Sequence, residues 1–125
     1  MNFKDSKTIY EQIADRLCDE ILQGRYVADE RVPSVREYAA LVEVNVNTVV
    51  KSYDFLTSSG IIYNKRGLGY FVAADAAEVI LRIRKDEFMN ESIPEFFHRL
   101  RMLGISWDEI KAVYDGLYPE KNEMQ

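Results

Sequence analysis

Residues Pro33 to Gly60, PSVREYAALVEVNVNTVVKSYDFLTSSG, decide the fold of this chain. Ser34 and Glu37 have the spacing of a capping box, in which the hydroxyl accepts from the third helical N–H and the carboxylate reaches back. A helix is therefore predicted from Ser34, with Val35, Tyr38, Ala39 and Val42 recurring at its period. Asn45 supplies a second N-cap, so a further helix is predicted over Val46 to Ser59, only Glu43 and Val44 lying between the two. Val49, Tyr53 and Leu56 make one buried stripe on it, and Gly60 ends it through the left-handed conformation a C-terminal cap needs. Asn47, Val50, Lys51 and Asp54 lie opposite that stripe. This is a helix-turn-helix whose second helix presents a polar face to a partner.

Upstream, Thr8 and Glu11 form another capping box, followed by Ile9, Ile13, Leu17 and Ile21 every fourth residue and closed by Gly24. Arg31-Val32-Pro33 reads as a short extended piece, since proline biases its predecessor away from the helical region. Downstream, Ile61-Ile62-Tyr63 and Tyr70-Phe71-Val72-Ala73 flank a polar, glycine-containing loop and read as a β-hairpin. Lys65 and Arg66 stand at its tip, and Gly67 and Gly69 let the backbone approach a phosphate closely. Three helices followed by a basic-tipped hairpin is the order of a winged helix-turn-helix; an α+β core with the hairpin as a mere cover is the alternative. The fold class is thus mainly α with a small β-hairpin.

Beyond Ala73 the pattern is helical again. Val79, Ile80, Ile83 and Phe88 belong to an apolar arc broader than one packing partner requires. Ser92 with Glu95, and Pro94 in the first turn, predict a new helix start, with the helix either breaking or kinking there. Phe96, Phe97 and Leu100 form the next stripe, Gly104 stops it, and Ser106 with Glu109 caps a last helix. The expected organisation is a DNA-binding domain over 1–74 and a helical dimerisation segment over 75–125. Val79, Ile80, Ile83, Phe88, Phe96, Phe97 and Leu100 are the expected dimer contacts.

Composition narrows the function. The chain has 125 residues and a formal net charge of −5, which by itself argues against a phosphate-rich partner. The acidity sits in the tail: residues 1–73 hold nine Lys or Arg against ten Asp or Glu, and residues 74–125 hold seven against eleven. The local field on the docking face, not the net charge, decides DNA affinity. One cysteine, Cys18, excludes an internal disulfide framework and a cysteine-based zinc cluster within one chain. His98 is the only histidine, and neither metal nor catalysis is assigned to it. No phosphate loop, nucleophile elbow or H-E-x-x-H motif is present, so neither an enzyme nor a cofactor is expected. No apolar run approaches the roughly 18 residues of a membrane span, and the amino terminus lacks a signal-peptide core, so the expected location is the cytoplasm, with no membrane partner.

The first 73 residues resemble the winged-helix domain of the GntR family of bacterial transcription regulators. Four motifs carry the resemblance in order: Ile9-Tyr10-Glu11-Gln12-Ile13-Ala14, Arg31-Val32-Pro33-Ser34-Val35-Arg36-Glu37, Asn45-Val46-Asn47-Thr48-Val49 and Arg66-Gly67-Leu68-Gly69-Tyr70-Phe71-Val72. The short tail, with Leu103-Gly104-Ile105-Ser106 opening its last helix, is similar to the YtrA subfamily, which carries a small dimerising segment in place of a large effector domain. The resemblance implies DNA contacts from Arg36, from Asn47, Thr48 and Lys51, and from Arg66, Gly67 and Gly69, with Ser34 and Asn45 capping their helices and touching phosphates. Lys65 joins this set by its place at the hairpin tip. Val46, Val50 and Leu68 depart from the basic residues common in the wider family. The expected function is a homodimeric repressor on an inverted-repeat operator in double-stranded DNA, its small-molecule effector unknown; the competing reading is a winged-helix module for protein interaction.

Overall fold

A computed structural model describes residues 7–119. Three helices, α1 (Ile9–Leu22), α2 (Val35–Val42) and α3 (Val46–Ser58), precede a hairpin of β1 (Ile62–Lys65) and β2 (Gly69–Val72), and α4 (Ala76–Glu87) follows. A π turn over Phe88–Ser92 then leads to α5 (Ile93–Leu103) and α6 (Trp107–Leu117). The chain divides into two compact units, one ending at Asp86 and the other starting at Glu87.

The first unit is the winged helix-turn-helix. Thr8 and Ser34 both form complete capping boxes, with Glu11 and Glu37 respectively. Asn45 caps α3 by accepting from the Asn47 N–H at 2.7 Å. Glu43, between α2 and α3, adopts the left-handed conformation at φ 59° and ψ 48°, which lets the Val44 N–H return to the Ala39 carbonyl and makes the turn tight. Val49, Tyr53 and Leu56 are fully buried, as the helical stripe predicted, and Asn47, Val50, Lys51 and Asp54 are exposed.

β1 and β2 pair antiparallel, with Tyr63 opposite Phe71 and Lys65 opposite Gly69. The extended piece before α2 joins this two-stranded sheet through an isolated bridge. Arg31 bridges Phe71, and the Val32 N–H donates to the Tyr70 carbonyl at 2.9 Å. The sheet is thereby tied to the start of the helix-turn-helix through the backbone.

Helix α4, up to Asp86, belongs to this unit. Val79 and Ile80, expected at a dimer interface, lie in the core with Leu17, Tyr38 and Leu56, and Ile83 is packed against it. Arg84 fastens the helix to α1 by pairing with Asp19 at 2.8 Å and donating to the Asp15 carbonyl at 3.2 Å. The first unit consequently extends past residue 74, because the apolar side of α4 completes its core.

In the second unit, α5 starts at Ile93 with Pro94 in its first turn, as expected, but Ser92 and Glu95 form no capping box. Ser92 is itself helical and its side chain caps nothing. The Ile93 N–H instead reaches back five residues to the Phe88 carbonyl. Pro94 explains this wider turn: proline has no N–H for a regular α-helical bond, and its ring would press on the carbonyl four residues earlier. Gly104 ends α5 at φ 70°, and Ser106 with Glu109 caps α6 as expected. The Phe97 and Trp107 rings meet edge to face at 6.1 Å.

Candidate nucleic-acid interface

The first turn of α3 begins at Asn45, whose carboxamide oxygen is occupied by the Asn47 N–H. Asn45 and Asn47 are exposed, Thr48 is half-buried and Lys51, one turn on, is exposed. Polar side chains on such a face are free to meet base edges or phosphates, because the opposite side of the helix is locked in the core. Val46 and Val50, the two departures from basic residues, have different fates. Val46 leans on the core, whereas Val50 is 39% exposed and available to a thymine methyl.

Helix α2 presents Arg36 exposed at its first turn. A cation there opposes the helix dipole, and the acidic Glu37 beside it offsets that cost. Glu37 accepts from the Ser34 N–H at 2.8 Å, a bond that holds its carboxyl below the usual carboxylate range. The half-buried Ser34 accepts the Glu37 N–H at 3.1 Å.

In the hairpin, Lys65, Arg66, Gly67 and Leu68 are all exposed around the turn, and Gly69 is half-buried. The Lys65 ammonium lies 4.8 Å from the Phe71 ring centroid, and Phe71 stacks on Tyr63 at 5.8 Å. The Tyr63 hydroxyl donates to Asp29 at 3.0 Å, which anchors the stack to the turn just before Arg31. Lys65 is thus braced along an aromatic pair, while no such brace holds Arg66 among the described residues.

Two residues connect these parts, and sequence reasoning gave neither a functional place. Tyr53 of α3 donates its hydroxyl to the Pro33 carbonyl at 2.6 Å and meets the Tyr70 ring of β2 edge to face at 5.0 Å. One buried side chain therefore joins α3, the entry to α2 and the hairpin. Burial pushes its phenol well above the ordinary tyrosine range, so it remains a donor. Arg31 is the second: its Nε donates to the Leu68 carbonyl at the hairpin tip at 3.2 Å. A tyrosine within an otherwise aliphatic stripe was the signal for the first; the register that places Arg31 beside β2 is a long-range pairing and leaves no local mark.

The expected dimer contacts divide. Phe88, Phe96 and Phe97 are 54%, 42% and 43% exposed, while Leu100 is buried. Leu100 lines, with Phe96, Arg99, Leu103, Ile105 and Ile110, an open cavity of about 390 Å³ within the second unit. Met102, Leu103, Trp107, Val113 and Leu117 add to the exposed apolar surface of that unit. Among the described residues no group of three His, Cys, Asp or Glu side chains could hold a metal ion, and no helix is long and apolar enough to cross a membrane.

Comparison with known proteins places this geometry. Residues 9–72 match the family described as bacterial regulatory proteins, gntR family. The chain is 33% identical over 108 residues to the HTH-type transcriptional regulator YhcF of Bacillus subtilis, covering 86% of this chain and 88% of that one. It is 36% identical over 78 residues to the transcriptional repressor YtrA of the same organism, covering 62% of this chain and 60% of that one. Among solved structures, a transcriptional regulator of the GntR family from Bacteroides thetaiotaomicron superposes with a TM-score of 0.80 at 48% identity, covering 91% of this chain and 99% of that one.

Proposed function

Since this chain belongs to the gntR family of DNA-binding transcription regulators, we propose that it is a repressor that binds an inverted-repeat operator as a homodimer. The observation that carries the proposal is the exposed polar face of α3, held by Tyr53 to both the start of α2 and the hairpin. In this reading Asn47, Thr48 and Lys51 enter the major groove, Arg36 contacts it from α2, and Ser34 and Asn45 bring helix N-termini to phosphates. Lys65, Arg66, Gly67 and Gly69 engage the flanking backbone or minor groove as the wing. The exposed aromatic surface of the second unit, including Phe88, Phe96 and Phe97, pairs two copies, and two-fold symmetry then sets half-sites about one helical turn apart. The protein works in the cytoplasm, without cofactor or catalytic step, and represses by occupying a promoter. Similarity to the repressor YtrA supports the direction of regulation.

Selection of bound duplexes from random-sequence DNA, read at two salt concentrations, tests this reading. A palindromic site and an affinity that falls with salt are the expected result. Failure to enrich any sequence would leave the chain a protein-interaction module.

A further inference from the structure

We infer that Arg31 is the positioning residue of the wing, an assignment that rests on the DNA-binding reading above. Its backbone bridges Phe71 on β2, and its side chain extends to the hairpin tip, where Nε donates to the Leu68 carbonyl at 3.2 Å. The same guanidinium covers Gly69. A Cβ at that position would lie 2.9 Å from Arg31 Nε and 3.5 Å from Nη2, at a backbone φ of 111°. Glycine at 69 therefore serves two ends: it takes the positive φ and leaves the space the guanidinium fills.

This contact sits at a useful place in the frame. Arg31 lies two residues before Pro33, whose carbonyl receives the Tyr53 hydroxyl, so it is rooted in the segment that also fixes α2 and α3. Leu68 follows Arg66 and Gly67 directly, the cation and the close-approach glycine of the wing. Binding the Leu68 carbonyl consequently sets where those two stand relative to the recognition helix. The Leu68 side chain is 63% exposed, and the Leu68 N–H donates to the Lys65 carbonyl at 2.8 Å within the turn, so Arg31 is the side chain that ties this turn to the segment before α2. A lysine could not substitute: it carries the same charge, but it lacks the planar Nε donor within the stem and concentrates its donors at the end.

The test uses the full chain and a duplex recovered by selection from random DNA, with affinity read by fluorescence anisotropy for the wild type, Arg31→Lys, Arg66→Ala and the double variant. Arg31→Lys keeps the charge and so separates positioning from a direct phosphate contact. The expected result is that Arg31→Lys weakens binding about fivefold, and that in the Arg66→Ala background it adds almost nothing, because both act through the wing tip. Hydroxyl-radical protection is lost at the outer flanks of the site in both single variants and kept at its centre, with the urea midpoint of Arg31→Lys unchanged. Wild-type affinity for Arg31→Lys, or losses that multiply in the double variant, would overturn the inference while leaving the DNA-binding reading intact. An Arg66→Ala variant that binds as the wild type does would remove the wing reading and this inference together.

Discussion

The Tyr38 hydroxyl donates to Oε1 of Glu20 across 2.8 Å in the core, joining α2 to α1. Glu20 is only 6% exposed, and its other oxygen faces Arg16 at 3.6 Å and Arg25 at 3.5 Å. Removing the hydroxyl in Tyr38→Phe takes one bond from a buried carboxylate and should cost about 1–3 kcal/mol. Urea unfolding checks this as a lower midpoint at unchanged slope. The phenol adds a pH dependence. Burial, then the bond to Glu20, raises its folded pKa, so its stabilisation is complete below the unfolded value of about 10 and is lost as pH rises above it. Tyr38→Phe should therefore flatten the alkaline limb of the stability curve, and an unaltered limb would show that Tyr38 does not contribute to it.

Cys18 is 5% exposed on the inner face of α1, and burial, partly countered by nearby Arg84, pushes its thiol up to about 12. Only the thiolate is nucleophilic, so at pH 8 the folded protein should take up almost no iodoacetamide over an hour. In denaturant the same reagent should label one site per chain, read by intact mass. Stoichiometric labelling under native conditions would mean that the α1–α4 contact opens far more readily than its packing implies.

The recognition face makes a sharper demand. Asn47→Ala and Arg36→Ala each should weaken binding to the selected duplex by about 1–3 kcal/mol if the side chain meets a base edge, with relaxed preference at one position per half-site. Uniform weakening across sequences, with a shallower salt slope, would reassign the residue to a phosphate. Val50→Ala should leave the salt slope unchanged, since no charge is removed, and should reduce discrimination wherever a thymine methyl is read.

These expectations were legible in the sequence to different depths. The capping boxes at Thr8, Ser34 and Ser106 and the stripe of Val49, Tyr53 and Leu56 are local signals within one or two helical turns, and the structure has each of them. The hairpin was visible for the same reason. What lay beyond local pattern was which surface each apolar stripe meets. Val79 and Ile80 have the period of a dimer helix and of a core helix alike, and only the tertiary pairing of α4 with α1 decides between them. Ser92-x-x-Glu95 has the letters of a capping box, yet Pro94 makes the chain take a π turn there. The left-handed Glu43 carries no glycine or asparagine to announce it.

The split among the apolar residues of the tail separates two kinds of variant. Ile80 is 1% exposed, so Ile80→Ala should cost about 2–5 kcal/mol through the cavity it leaves, and should lower the melting temperature whatever the protein concentration. Phe97 is 43% exposed, so Phe97→Glu should spare the first unit and convert dimers to monomers, read by sedimentation velocity. Operator affinity should fall with the loss of the second half-site. A Phe97→Glu protein that still sediments as a dimer would move the interface to another face of the second unit.

Glu43 offers a test of the turn itself. A non-glycine residue in the left-handed region costs about 1–2 kcal/mol, and a carboxylate at the C-terminal end of α2 opposes the helix dipole. Glu43→Gly removes both penalties and gives back part of the gain as unfolded-chain entropy. The expected net effect is a stabilisation of about 0.5–1 kcal/mol in urea unfolding. Because the backbone already has the conformation glycine prefers, the placement of α3 should not move, and affinity for the selected duplex should stay within about twofold. A variant that gains stability but loses affinity would show that the Glu43 side chain, not only its backbone, takes part in the DNA contact.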